Sequence, residues 1–114
     1  GGHIVNFSTS AIGLAMPGYA VYAGSKIAVE MFTNIMAKEL RGRNITVNAI
    51  APGPTATDLF YQGKSEELVE KFAKQAPLER LGQPDDIAST VSFLVSPEGS
   101  WVNGQTLRVN GGIV

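Results

Sequence analysis

The 114-residue sequence contains no cysteine, which excludes disulfides and thiolate metal centres. Its single histidine, His3, sits in an apolar run with no second imidazole to share a metal, so it reads as a strand-end structural residue and no metal site is expected. Charge of either sign is scarce: nine Lys and Arg against ten Asp and Glu leave a formal net charge of −1. Without a basic face there is no electrostatic footprint for nucleic acid or for an anionic membrane surface. No stretch approaches the roughly 18 apolar residues that a spanning helix needs, and no basic-then-apolar leader opens the chain. A cytoplasmic protein is the expectation. An initiator methionine is missing too, and Gly1-Gly2 runs straight into His3–Phe7, so the chain reads as cut from a longer one.

What is present is an ordinary globular composition, 44% hydrophobic, in a length that suits one small domain over residues 1–114. His3 to Ser8 is β-rich and breaks into the hydroxyl cluster Ser8-Thr9-Ser10. Gly13 to Gly18, with Pro17 inside it, reads as loop. From Ala20 to Leu40 the pattern is helical: Ile27, Met31, Ile35 with Met36, and Leu40 recur at three- and four-residue spacing. Gly42 supplies the stop. Ile45 to Ile50 is a second strand, ended by Pro52-Gly53-Pro54. Strand, long helix, strand makes a βαβ unit, whose strands run parallel.

Ser65 caps a short helix that runs to Gln75. Pro84-Asp85-Asp86 opens another, with Ile87, Val91, Leu94 and Val95 as its buried stripe. Thr106 to Val109 is a last short strand. The order β-α-β-α-α-β predicts an α/β fold on a parallel sheet. Three strands are few for a sheet covered on both faces, so a bare apolar edge is expected.

The chemistry concentrates in three segments. Tyr22 and Lys26 lie four apart on the long helix, hence on one face. A free phenol titrates near pH 10 (approximately) and is a poor acid at neutral pH; an ammonium one turn away favours the phenolate. Alone, Tyr-x-x-x-Lys is a weak signal that also fits a tyrosine packed on a lysine stem. Ser8, Thr9 and Ser10 end the preceding strand, and Pro52 to Thr57 end the following one. Parallel strand ends share the edge where ligands of open α/β sheets bind. Each segment singly reads as turn or cap chemistry. Jointly they point to a site.

Ile4–Ser10, Tyr22/Lys26, Ile45–Asn48 leading to Pro52-Gly53, Arg80–Ala88, and Asn103-Gly104-Gln105 leading to Val109–Gly112 together resemble the second half of the short-chain dehydrogenase/reductase family. The resemblance covers the whole chain. It implies the C-terminal part of a Rossmann-like, doubly wound parallel sheet and an oxidoreductase that uses NADP or NAD to interconvert a carbonyl and an alcohol. Tyr22 would be the acid/base. Lys26 would hold the nicotinamide ribose and assist the phenol. The family's serine, thirteen residues before the tyrosine, falls on Thr9, whose hydroxyl has the same donor and acceptor capacity; Ser8 and Ser10 remain alternatives.

Ser8, Ser10, Tyr19 and Phe60 are the expected substrate contacts, and Pro52, Gly53, Thr55 and Thr57 the expected nicotinamide loop. Leu59 to Arg80 corresponds to the family's substrate lid, in which Phe72 is read as core of the lid helix. The glycine-rich phosphate loop of the family is not among these residues, so tight cofactor binding is expected to need an N-terminal segment. The implied partners are a small-molecule substrate and a second copy, as homodimer or homotetramer, through the long helix and through Trp101, Val102 and the last strand. The alternative is a non-catalytic half-domain that acts only by assembling with a complementary N-terminal fragment or with itself.

Overall fold

Strand β2 (Ile45–Pro52) lies between β1 (Gly2–Phe7) and β3 (Thr106–Val109), and both neighbours run parallel to it. The computed structural model describes all residues, 1–114. The helices are α1 (Ala11–Leu14), α2 (Ala20–Glu39), α3 (Asp58–Tyr61), α4 (Glu66–Gln75) and α5 (Pro84–Leu94), with a 3₁₀ turn at Pro97–Gly99. This is an α/β fold of the Rossmann type. No helix is long and apolar enough to cross a membrane.

The core is β2. Val47, Asn48, Ala49, Ile50 and Ala51 are all buried, as befits a parallel strand covered on both faces. Asn48 is the polar member, and both ends of its amide are satisfied: Nδ2 donates to the Val102 carbonyl at 2.9 Å and Oδ1 accepts from the Gln105 amide at 3.0 Å. The Asn103 carboxamide accepts from the Val47 amide at 2.8 Å. Two asparagines thus tie the 102–105 loop to β2 before β3 begins, so the loop's backbone is not left unpaired in the interior.

The outer layers are thinly covered. Only 12 of 114 residues are buried, and Met31 and Phe32 on α2 are 57% and 60% exposed. The radius of gyration, 15.2 Å, exceeds the roughly 13 Å of a compact domain of this length. The apolar repeat that signals α2 therefore marks its sheet-facing side only in part, at the half-buried Met36 and Leu40. Ile27, Met31 and Ile35 point away from the sheet, while Thr33 is buried on it. The stripe expected on α5 needs one correction as well. Leu94 is fully buried and Ile87 and Val91 are half-buried, but Val95 is largely exposed because α5 ends at Leu94 and the chain turns away there.

The caps explain where the later helices begin. Ser65 accepts from the Leu68 amide at 3.2 Å, with Glu66 and Glu67 in the first turn of α4. Asp86 accepts from the Gln83 amide at 2.6 Å and holds α5 closed at its start. The predicted loop at 13–18 is partly helical, since α1 occupies Ala11–Leu14 before the left-handed Ala15 stops it.

Candidate active site

The ladder between β1 and β2 continues past the formal end of β1. The Ser8 amide donates to the Ile50 carbonyl at 2.8 Å and the Ser10 amide to the Pro52 carbonyl at 3.0 Å. The extended alternation therefore persists, with Ser8 and Ser10 buried and Thr9 half-buried between them. Their hydroxyls are committed inside the protein. Ser8 Oγ donates to Glu30 Oε2 at 2.5 Å. Ser10 Oγ donates to the Ala51 carbonyl at 2.6 Å and accepts from Asn110 at 3.0 Å. Thr9 Oγ1 accepts one bond, from the Ala11 amide at 3.2 Å, and its own proton has no protein acceptor. Of the three hydroxyls, Thr9 is the one free to donate.

A cleft of about 550 Å³ opens at this edge and is lined by Ser8, Thr9, Ser10, Tyr19 and Tyr22. The adjoining end of β2 adds Pro52, Gly53, Thr55 and Thr57 to the lining, and Phe60 and Phe72 line it as well. Ten of the candidate residues named from sequence meet there. Lys26 is the exception. It is not among the lining residues; one helical turn after Tyr22, its Nζ donates to the Phe7 carbonyl at 3.2 Å. An ammonium has three protons, so two remain for other acceptors. The Tyr22 hydroxyl has no hydrogen-bond partner in the protein, and its ring is packed edge-on against Tyr19 at 6.1 Å between centroids.

The loop after β2 is held from outside. Ala56 donates to the Gly82 carbonyl at 2.8 Å, and Gly82 donates to the Pro54 carbonyl at 2.9 Å. This parallel bridge, centred on Thr55 and Gly82, uses the groups on either side of Thr55 and leaves the Thr55 amide and carbonyl unbonded. The Thr55 hydroxyl is turned back onto the Gly53 carbonyl at 2.8 Å. The Thr57 hydroxyl caps α3 through the Phe60 amide at 3.2 Å. Thr55 thus presents one backbone donor and one backbone acceptor, the pattern that a carboxamide matches.

Further members of the site escaped the sequence reading. Ile113, from the tail after β3, lines the cleft, as do Leu14 and Met16. Lys64 lines it too, its Nζ 4.5 Å from the Phe60 ring centre and 2.6 Å from the Phe60 carbonyl. Phe60 packs edge-on with Phe72 at 5.5 Å, so Phe72 serves both the lid's packing and the cleft wall.

Known proteins match this chain throughout. The family model described as enoyl-(acyl carrier protein) reductase matches residues 1–114. A short-chain type dehydrogenase/reductase of Picea abies is 55% identical over 114 residues, all of this chain and 42% of the relative. An NADPH-dependent aldehyde reductase-like protein, chloroplastic, of Arabidopsis thaliana is 48% identical over the same span, again 42% of its length. Among solved structures, the angucycline C-6 ketoreductase LanV with bound NADP superposes with a TM-score of 0.89 at 32% identity, covering 99% of this chain and 44% of that one. The chain therefore spans less than half the length of these relatives. On the full-length match of the family model and on the relatives' names, this chain belongs to the short-chain dehydrogenase/reductase family.

Proposed function

We propose that this chain carries the proton-transfer site of an NADP(H)- or NAD(H)-dependent oxidoreductase that interconverts a carbonyl and an alcohol. The observation that supports it most is the cleft in which the unpartnered Tyr22 hydroxyl meets Thr9, with its free proton, and the unbonded backbone of Thr55. Relatives named for NADPH, and a neighbour with bound NADP, favour NADP(H).

The residues present fit the nicotinamide end of such a cofactor. The Thr55 amide and carbonyl would hold the carboxamide, and the two free protons of Lys26 the ribose hydroxyls. The cofactor supplies the hydride. Thr9 donates a hydrogen bond from its hydroxyl to the substrate oxygen and fixes its place, keeping its own proton. Tyr22 gives its proton to the alkoxide as it forms, or takes it when the alcohol is oxidised. Lys26, one turn away, stabilises the phenolate left behind. Leu14, Met16, Phe60 and Ile113 make the substrate wall apolar, which suits aliphatic or aromatic aldehydes and ketones.

Two exposed apolar surfaces extend the reading to assembly. The Ile27–Met31–Ile35 row on α2 and the 96% exposed Trp101 suit contacts between copies in a homodimer or homotetramer. The same bare surfaces favour a second reading of the isolated chain, as a half-domain that is stable only against a complementary segment or another copy.

Deuterium transfer tests the function. The full-length protein, given NADPH deuterated at C4 and an aromatic aldehyde, is expected to place the label on the carbinol carbon of the product. No label in the alcohol, across a panel of apolar aldehydes and ketones, would overturn the proposal.

A further inference from the structure

The face of α2 that carries Tyr22 and Lys26 continues with Glu30 and Thr33, at three- and four-residue steps. Each of these last three residues is bonded to the end of β1. Lys26 donates to the Phe7 carbonyl at 3.2 Å, Ser8 donates to Glu30 at 2.5 Å, and Asn6 Nδ2 donates to Thr33 at 3.0 Å. A helix face laid on a sheet is normally apolar. Here Lys26, Glu30 and Thr33 make a polar ladder along it, beside the half-buried Val29 and Met36, while the apolar residues Ile27, Met31 and Ile35 look outward.

Glu30 is the unexpected member. It is half-buried, and its carboxylate has no lysine or arginine within ion-pair distance, the two salt bridges of the protein lying at Glu70–Lys74 and Asp86–Arg80. Its one hydrogen-bond partner is the Ser8 hydroxyl. A carboxylate acceptor makes a stronger hydrogen bond than a neutral one, so Ser8 is fixed firmly and its proton is drawn away from the cleft. The peptide that Glu30 anchors leads directly into Thr9. Tyr22 and Glu30 are on one rigid helix, so this bond ties the Thr9 backbone to the helix that carries the phenol.

We infer that Glu30 is a positioning residue for the proton transfer. Through Ser8 it sets the separation between the Thr9 and Tyr22 hydroxyls, and it removes Ser8 from competition for the substrate oxygen. This rests on the carbonyl/alcohol reading above and adds to it a residue that does not line the cleft. A reactive geometry displaced by about 1 Å can lose roughly a hundredfold in rate, so the effect belongs in kcat.

The test uses the full-length enzyme with NADPH and an aromatic aldehyde as the probe. Glu30→Leu is expected to lower kcat roughly tenfold or more with the NADPH dissociation constant unchanged. Glu30→Gln keeps an oxygen that accepts from Ser8, and should restore most of the lost kcat. Ser8→Ala should lower kcat to a similar degree, and the Ser8→Ala/Glu30→Leu double variant should be no worse than either single one. If Glu30→Leu does not fold, the Glu30→Gln and Ser8→Ala pair still decides: retained kcat in the first with loss in the second supports the inference. Equal loss in Glu30→Leu and Glu30→Gln, or wild-type kcat in Glu30→Leu or Ser8→Ala, overturns it. Tyr22→Phe runs alongside. An active Tyr22→Phe enzyme would defeat the underlying reading, whereas an inactive one beside a fully active Glu30→Leu defeats the positioning role alone.

Discussion

Gly53 is pressed against Asn110, so closely that a Cβ built on Gly53 would stand 2.7 Å from the Asn110 Cβ and 2.8 Å from its Cα. The contact holds the loop after β2 against the end of β3, where the Gly53 amide donates to the Val109 carbonyl at 2.9 Å. Backbone cannot yield as a flexible side chain can. Gly53→Ala is therefore expected to push the two strand ends apart and to cost about 1–3 kcal/mol of stability. Denaturant unfolding of the full-length protein measures this. An unchanged midpoint would show that the loop relaxes freely.

Thr9 is the strand-end residue whose hydroxyl proton is uncommitted. Thr9→Val keeps the shape and removes the donor, and should lower kcat about 10²- to 10³-fold, the usual cost of deleting one donor to a developing oxyanion. Thr9→Ser should retain activity and admit bulkier substrates, since it removes only a methyl from the cleft wall. Steady-state kinetics distinguish the two. Wild-type activity in Thr9→Val would shift the role to Ser8 or Ser10.

The start of α5 is tuned by charge. The Arg80 guanidinium, bonded to Asp86 at 2.8 and 3.2 Å, together with the Gln83 amide, holds the Asp86 carboxyl below the usual carboxylate range. A carboxyl that is more acidic folded than unfolded stabilises the fold fully above its unfolded value, near pH 4 (approximately), and loses that contribution as pH falls through the folded value. Asp86→Asn should therefore melt below wild type at neutral pH, with the gap closing in acid. Melting temperatures across that range check it, and a gap independent of pH would contradict it.

The outward apolar row on α2 makes a prediction about assembly. On the assembly proposed above, Met31→Asp with Ile35→Asp, both on the exposed side, should give the full-length protein a smaller mass in solution than wild type, with cofactor affinity intact. Light scattering reads the mass. An unchanged mass would place the interface elsewhere.

Much of this architecture was legible in the residues, for physical reasons that differ from element to element. Tyr22 and Lys26 could be placed together because helical spacing is fixed. Ser65 and Pro84-Asp85-Asp86 marked their helix starts because caps are local chemistry. The four-residue helices α1 and α3 are too short to show a period. The Ile27–Met31–Ile35 repeat revealed a helix but not which side meets the sheet, since unpartnered apolar residues look the same in sequence as core. Ile113 in the cleft could not be foreseen, because it arrives from a tail about a hundred positions from Thr9. Nor could the free backbone of Thr55, which depends on a bridge to Gly82. Glu30 reads in sequence as one more surface charge, and only its bond to Ser8 sets it apart.

The most direct test of the account is Tyr22→Phe in the full-length enzyme, with turnover and NADPH binding measured on the same preparation. The phenyl ring keeps the packing against Tyr19 and removes only the hydroxyl. The account predicts a fall in kcat of about 10²- to 10⁴-fold with the NADPH dissociation constant nearly unchanged. Turnover close to wild type would mean that the proton comes from another group.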